Sequence, residues 1–568
     1  MKRSLYCILP ALFLLPLIAV AQGSYIPLGS ETYHYLDRLE IKTGLVNEFH
    51  SSNKPYDRKI VMDFVGKIDT GDVDVELSDK DQENIDYIIK DNFEFDNDEK
   101  IDRRERAVWG FLYKHPAHLM SYESPHFKIA VNPALYVRLG EEFNEKKFKY
   151  LTTKGFEIRG QIDKWVGFYL QFVSEQGVFP NYVNSLAYEY GVPPGAGYWK
   201  QYKNNGYDYF LTTGYVTFTP SKHIHFQFGY GNNFIGDGIR SMFVSDFANN
   251  YMFFKINTNV WRLNYQNIFA ELTSKYKNSA ADSVLPKKYM AMHHLSINAT
   301  RWLNLGIFEG VMFSRQNHFE LQYLNPIIFY RSIEQALGSP DNAFIGFDFK
   351  MNFARHVQIY GQLMLDEFNF SKEFSTPGHS KFYGLLHPRR WWGNKFAAQL
   401  GIKYIDAFGL DHLDLQFEAN MARPYTYSHT TPVTSWSQYN LPLAHPLGAN
   451  FTELITHITY QPIQQFLINA RFIYSRYGED NDTTNYGKNI FQPYGTFESE
   501  FDNHTGQGIK AHQFYLDIVG TYQPWHNIFI DLGYTFRKKN SEEASRSLTT
   551  HFLSLGVRWS LPYRRNEF

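Results

Sequence analysis

Four stretches gather residues equipped for chemistry. The first, "GYGNNFIGDGIRSMFVSDFANNYMFFK" (229–255), sets Asp237, Arg240 and Asp246 among glycines 229, 231, 236 and 238. Glycines beside charge suggest a phosphate cradle, which needs G-x-G-x-x-G after a buried strand and before a helix, or a glycine-rich loop ending in Lys-Ser/Thr. Here the spacing is G-x-G-x-x-x-x-G-x-G, no Lys-Ser/Thr follows, and the segment runs from one amphipathic strand into another. The glycines therefore read as a loop that needs backbone freedom to fold over an opening. Asp237, Arg240 and Asp246 then face that opening, as a charged-ligand site or as a salt bridge locking the loop. The salt bridge is the preferred reading.

The other three stretches point to sugars. "HPRRWWGNK" holds Arg389, Arg390, Trp391 and Trp392, and "ARPYTYSHTTPVTSWSQYNLPLAHPLGANFTE" holds Arg423, Tyr425, Tyr427, Trp436 and Tyr439. "PPGAGYWKQY" adds Tyr198, Trp199 and Tyr202. Aromatic faces suit the C–H faces of sugar rings, polar donors suit their hydroxyls, and arginine extends the set to carboxylate-bearing sugars. For any single ring, the plainer reading is a membrane-interface girdle or packing between loops.

Other constellations fail on geometry. "DNDEKID" (Asp96–Asp102) opens like a calcium loop, but lacks the central glycine and has Ala107 at the twelfth position, where a bidentate glutamate is required. His293 and His294 are strand neighbours pointing to opposite faces, so they cannot share a metal ion. No G-x-S-x-G, H-E-x-x-H or paired-carboxylate motif stands out. The expectation is a non-enzymatic protein with no cofactor and no metal.

The elements that must position these residues follow from composition and period. Aromatics make up 18% of the 568 residues, yet mean hydropathy is polar, −0.40. Rings at that density in a polar chain fit a sheet showing apolar side chains to one medium and polar ones to another. Lys2-Arg3, an apolar run from Leu5 to Val20 and a small-residue site before Gln22 read as a secretory leader cleaved after Ala21. Cys7, the only cysteine, leaves with it. Loss of Lys2 and Arg3 moves the net charge from −2 to −4, against a nucleic-acid partner. No later run of about 18 apolar residues offers a transmembrane helix. A closed β-barrel remains open to an exported chain.

Residues 22–126 read as a small, mostly helical region at the periplasmic side or plugging the barrel. Ile85, Ile88 and Ile89, then Val108, Phe111 and Leu112, fall at helical spacing, and Tyr33–Gly44 reads as a short helix closed by glycine. From Phe127 the period becomes two, as in Ile224/Phe226/Phe228/Tyr230 and Leu413/Leu415/Phe417/Ala419/Met421. Short connections (Asp163-Lys164, Pro220–Lys222, Asn257–Asn259, Arg301-Trp302, Arg355-His356, Gln461–Ile463, Pro524–His526) alternate with long ones near 175–207, 231–249, 273–286, 314–343, 368–395, 424–451 and 478–509. Residues 127–568 thus read as an all-β, transmembrane antiparallel barrel of about 18 strands in the outer membrane of a Gram-negative bacterium, with tight periplasmic turns and long extracellular loops. The last period-two run reaches Leu561, and Phe568 is read as a terminal aromatic serving barrel assembly.

"FIGDGIRSMFVSDFANNYMFFKI", "LQYLNPIIFYRSIEQALGSPDNAFIGFDF", "HPRRWWGNKFAAQLGIKYIDAFGLDHLDLQFEANMARPYTYSH" and "LAHPLGANFTE" resemble the capsule-assembly Wzi family, in a Bacteroidota branch that includes the gliding-motility-associated RemB proteins. The resemblance extends more weakly to "YHYLDRLEIK". It implies a barrel occluded by its N-terminal segment and by inward-folded loops, and a surface lectin that anchors capsular or exopolysaccharide. Its RemB-like side implies contact with gliding-machinery or other outer-membrane proteins instead. The expected partners are surface polysaccharide and outer-membrane lipids, with other outer-membrane or gliding-machinery proteins under the alternative reading; a porin-like channel is the further alternative.

Overall fold

The computed structural model describes residues 23–70, 75–95, 115, 117–274, 285–315, 318–327, 329–374 and 388–568. The leader, the Asp96–Asp102 stretch and the helical positions Val108, Phe111 and Leu112 lie outside the described residues.

Eighteen antiparallel strands close into one barrel. They are β1 (Phe127–Glu142), β2 (Lys147–Ile162), β3 (Val166–Val178), β4 (Gly206–Ser221), β5 (Ile224–Gly231) and β6 (Tyr251–Val260). Next come β7 (Leu263–Thr273), β8 (Lys287–Asn298), β9 (Leu303–Phe313), β10 (Asn342–Phe353), β11 (Val357–Glu367) and β12 (Lys395–Tyr404). The last are β13 (Leu413–Ala422), β14 (Phe451–Ile463), β15 (Phe466–Glu479), β16 (Ile509–Trp525), β17 (Ile528–Ser541) and β18 (Leu548–Trp559). β18 closes on β1, with Trp559 opposite Leu135 and Phe552 opposite Glu142.

The alternation in the sequence is the alternation of the wall. On β1, Leu135, Val137 and Leu139 are exposed on the outer face, while Tyr136 and Arg138 between them are buried toward the lumen. On β18, Leu553, Leu555 and Val557 point out, and Ser554 and Arg558 point in. This is a soluble protein's pattern inverted: apolar side chains face lipid, polar ones line the interior.

At one end the connections are short, at the other mostly long. The turn read at Asn257–Asn259 lies inside β6, where Thr258 and Asn259 still pair with Tyr265 and Asn264. The chain reverses at Trp261-Arg262, with Trp261 in the left-handed region at φ 58°. A tryptophan carries no turn signal, so the polar run of asparagines drew the boundary too early.

Three helices close the short-turn end: α1 (Thr32–Thr43), α2 (Arg58–Asp69) and α3 (Asp79–Asp91). Asp57 caps α2 by accepting from the Lys59 N–H at 2.7 Å, and Ser78 with Asp81 forms a capping box on α3. Leu36, Leu39, Val61, Phe64, Ile85 and Ile88 bury one another between the helices. The bundle docks by charge. Arg38 donates to Asp81 at 3.2 Å, to Asp406 at 2.8 Å and to Asp414 of β13 at 2.5 Å. Lys42 meets Asp81 at 2.5 Å and Asp406 at 2.9 Å.

Beyond Trp559 the chain leaves the wall. Ser560 turns at φ 54°, and residues 561–568 enter the lumen. Phe568 is buried there, 5.7 Å from the Tyr182 ring and 6.1 Å from that of Phe247. The last strand therefore ends at Trp559, two residues short of the Leu561 where the sequence pattern placed it, and Phe568 lies outside the wall. The last strand's aromatic is Trp559, because Pro562, which has no N–H to donate, follows the turn at once.

Candidate functional site

Two assemblies collect the charged and aromatic candidates, one in the lumen and one on the long-loop rim. The lumenal one is built by the loop between β5 and β6. After Gly231 this loop turns inward instead of outward. Phe234 and Ile235 pair with Lys54 and Asn53 of the helical region, forming a two-stranded ribbon inside the barrel. Gly236 sits at φ 143°, and a Cβ there would lie 2.7 Å from the Gln362 amide nitrogen. A Cβ on Gly238 would lie 2.5 Å from a Glu418 carboxylate oxygen. The glycines thus allow backbone to press against wall side chains, and the Ile239 and Arg240 N–H groups donate to that same Glu418 at 2.7 and 3.1 Å.

The charges lock the loop. Lys350 of β10 meets Asp237 at 3.0 Å and Glu40 of α1 at 3.1 Å, so one wall lysine holds both loop and helix. Arg240 donates to Glu453 at 3.3 Å and to the Glu567 carbonyl at 2.7 Å. Burial disfavours its charge, but Glu453 and Glu567 outweigh that and raise its pKa above the ordinary arginine value. Glu567 also pairs with Arg471. Burial would raise the Glu567 pKa, yet Arg471, Arg240 and Arg565 hold it below the usual carboxylate range. Asp246 has no ion-pair partner within contact range among the described residues. It borders an internal cavity of about 620 Å³ that Arg471, Arg565 and Phe568 also line, and its enclosure raises its pKa.

The rim assembly joins the loops β11–β12, β13–β14 and β15–β16. Its base is Glu373, on the short helix Phe370–Phe374, whose carboxylate accepts from the N–H groups of Arg390 at 3.2 Å and Trp391 at 3.0 Å. Arg390 sits at φ 54°, held there by this carboxylate. Arg423 is buried and donates to the carbonyls of Asn503 at 3.2 Å and Trp391 at 3.4 Å. Trp392 stacks on Phe497 at 4.5 Å and meets Tyr425 edge-on at 6.1 Å. The Arg389 guanidinium covers the Phe501 ring at 3.6 Å. Trp391 and Trp392 are half-buried and the Arg390 side chain is exposed. No ion pair engages the Arg390 guanidinium among the described residues.

The sequence candidates thus divide. Arg389, Arg390, Trp391, Trp392, Arg423 and Tyr425 come together on the rim, and Asp237, Arg240 and Asp246 lie inside the barrel. Trp436 joins neither: it is fully buried, donates to the Phe243 carbonyl at 2.7 Å, and is enclosed by Phe344 and Phe308. Trp199 stands apart, half-buried against Tyr207 at 4.7 Å with its N–H on the Gly191 carbonyl at 2.9 Å. Sequence reasoning missed Glu373, Phe497 and Phe501, although "FQPYGTFESEF" carries the same aromatic signal as the loops it chose.

No protein-family model matches the chain, and no curated protein sequence does. Among solved structures, the fold is similar to Wzi of Escherichia coli, described as an outer membrane protein involved in group 1 capsule assembly and a carbohydrate-binding β-barrel. That match has a TM-score of 0.57 at 13% identity, covering 96% of this chain and 100% of that one. OprD of Pseudomonas aeruginosa aligns at a TM-score of 0.40 and 9% identity, over 76% of this chain and 94% of its own. The chain has the fold of an outer-membrane β-barrel, and Wzi shares that fold along nearly its whole length.

Proposed function

We propose that this protein is a non-catalytic outer-membrane lectin that holds acidic polysaccharide at the cell surface through the rim assembly. The observation that carries the reading is the half-open surface formed by Arg389, Arg390, Trp391 and Trp392 of the β11–β12 loop against Phe497 and Phe501 of the β15–β16 loop, with buried Glu373 and Arg423 fixing its backbone. A ring face beside an exposed guanidinium offers what a uronic-acid or other carboxylate-bearing sugar needs. The carbohydrate binding ascribed to Wzi supports the same reading. The helices, the inward loop and the 561–568 segment crowd the lumen, which speaks against a diffusion channel.

The test is binding of purified, detergent-solubilised protein to immobilised polysaccharides, anionic and neutral. We expect anionic polymer to be retained, with Arg390→Ala and Trp391→Ala each weakening it about tenfold, the scale of one charged hydrogen bond or one aromatic contact at a binding surface. Equal retention of neutral polymer, or variants that bind like the parent, would overturn the site. If no polymer binds and protein partners co-purify in stoichiometric amounts, a gliding or adhesion role takes its place.

A further inference from the structure

The long connection between β9 and β10 folds in the opposite sense to the inward loops. On β7, β8 and β9 the even-numbered side chains Ile268, Met290, Met292, Phe308 and Met312 belong to the lumenal core. The odd-numbered Phe269, Ala291, Val311 and Phe313 therefore point outward, yet they are buried. What covers them is the connection itself, through Tyr323, Tyr330 and Ile333. Arg315 and Asp341 clamp its base with paired contacts of 2.8 and 2.6 Å, and Tyr323 donates to the same aspartate at 2.8 Å.

Under this cover lies a polar pair on the outer wall. His293 meets Glu309 at 2.9 Å and stacks on Tyr330 at 4.5 Å, while the Arg331 N–H donates to Glu309 at 3.0 Å. Without the connection, that pair would face acyl chains, where ionisable groups are costly. The connection's own outer surface is apolar: Leu321 is 72% exposed, Ile327 85% and Phe329 65%, and Leu324 shares the face of Leu321 one 3₁₀ turn on. On the same side of the wall, Leu295, Leu305 and Ile307 are exposed as part of the lipid-facing band.

We propose that Leu321, Leu324, Ile327 and Phe329 are a lipid contact, continuing the acyl-chain-facing band of β8 and β9 over a segment that replaces lipid against the wall. Continuity with that band selects acyl chains as the occupant, since these side chains in water would form an apolar patch of the kind soluble surfaces avoid.

Cys7 is the only cysteine, so single-cysteine variants are made with Cys7→Ser. A polarity-sensitive fluorophore is placed on Leu324→Cys and Ile327→Cys and the protein reconstituted into phosphatidylcholine vesicles. Leu305→Cys serves as the lipid reference, and Tyr188→Cys, at a side chain 90% exposed on a long loop, as the water reference. Compact migration of unheated protein on gels verifies folding of each variant. The expected result is quenching of both labels by acyl-brominated lipid within about twofold of Leu305→Cys, with iodide access several-fold below Tyr188→Cys. Iodide access equal to that of Tyr188→Cys overturns the proposal. So does quenching by neither agent, which would mean that a second copy or another protein covers the surface.

Discussion

Lys350 shows how one residue can carry the interior. It sits buried between Glu40 and Asp237 and ties a wall strand to a helix and to the inward loop. Lys350→Met leaves two carboxylates enclosed without their cation, a change that costs about 3–5 kcal/mol when a buried pair is broken. Denaturant unfolding in detergent should show that loss, and Asp237→Asn in the same chain should recover part of it. A loss below about 1 kcal/mol would mean that water already screens the site. At Arg240 the residue types suggested a salt bridge but not its partners: Arg240 meets Glu453 and Glu567, far away in sequence, and neither Asp237 nor Asp246 beside it. The burial of Trp436 could not: tryptophan serves equally on a rim or in a core, and only the approach of Phe243, Phe308 and Phe344 from distant positions decides which.

At the scale of elements, the strands were the most legible part. Period-two alternation needs only the two media on either side of the wall, and Leu413, Phe417 and Met421 read correctly as one face without knowledge of any neighbour. Turn positions were less legible, since Trp261 reverses the chain at a residue that does not announce it. Where a loop goes was least legible of all. The β5–β6 loop turns inward and the β9–β10 connection outward, and both depend on partners far away in sequence. One element-scale signal did hold: Gly44 closes α1 at φ 81°, where an added Cβ would stand 2.8 Å from the Arg301 carbonyl. Gly44→Ala should therefore weaken docking of the helices by about 1–3 kcal/mol, the cost of a non-glycine residue in such a region. Limited proteolysis of the folded barrel should cut between α1 and α3 faster in this variant; an unchanged rate would show that the helices dock elsewhere.

For the whole molecule, the short-turn end is sealed by charge, and that has a pH dependence. Burial would raise the pKa values of Asp81 and Asp406, but Arg38 and Lys42, together with His412, hold both below the ordinary aspartate value. A depressed carboxylate pKa contributes stability above the unfolded value, near 4, and loses it as pH falls toward the folded value. Attachment of the helices should thus be constant from neutral pH down to about 5 and weaken progressively below 4. Helix accessibility to hydrogen exchange at pH 7 and pH 3 would measure this, and equal protection at both would refute it.

Arg558, near the end of the closing strand, donates to Glu31 just before α1 at 2.7 Å and to Asp531 at 2.8 Å. The strand that closes the barrel therefore also holds the helical region, through one guanidinium shared between Glu31 and Asp531. Loss of the Glu31 carboxylate would leave Arg558 with Asp531 alone, so a change before α1 is felt at the strand that closes the wall.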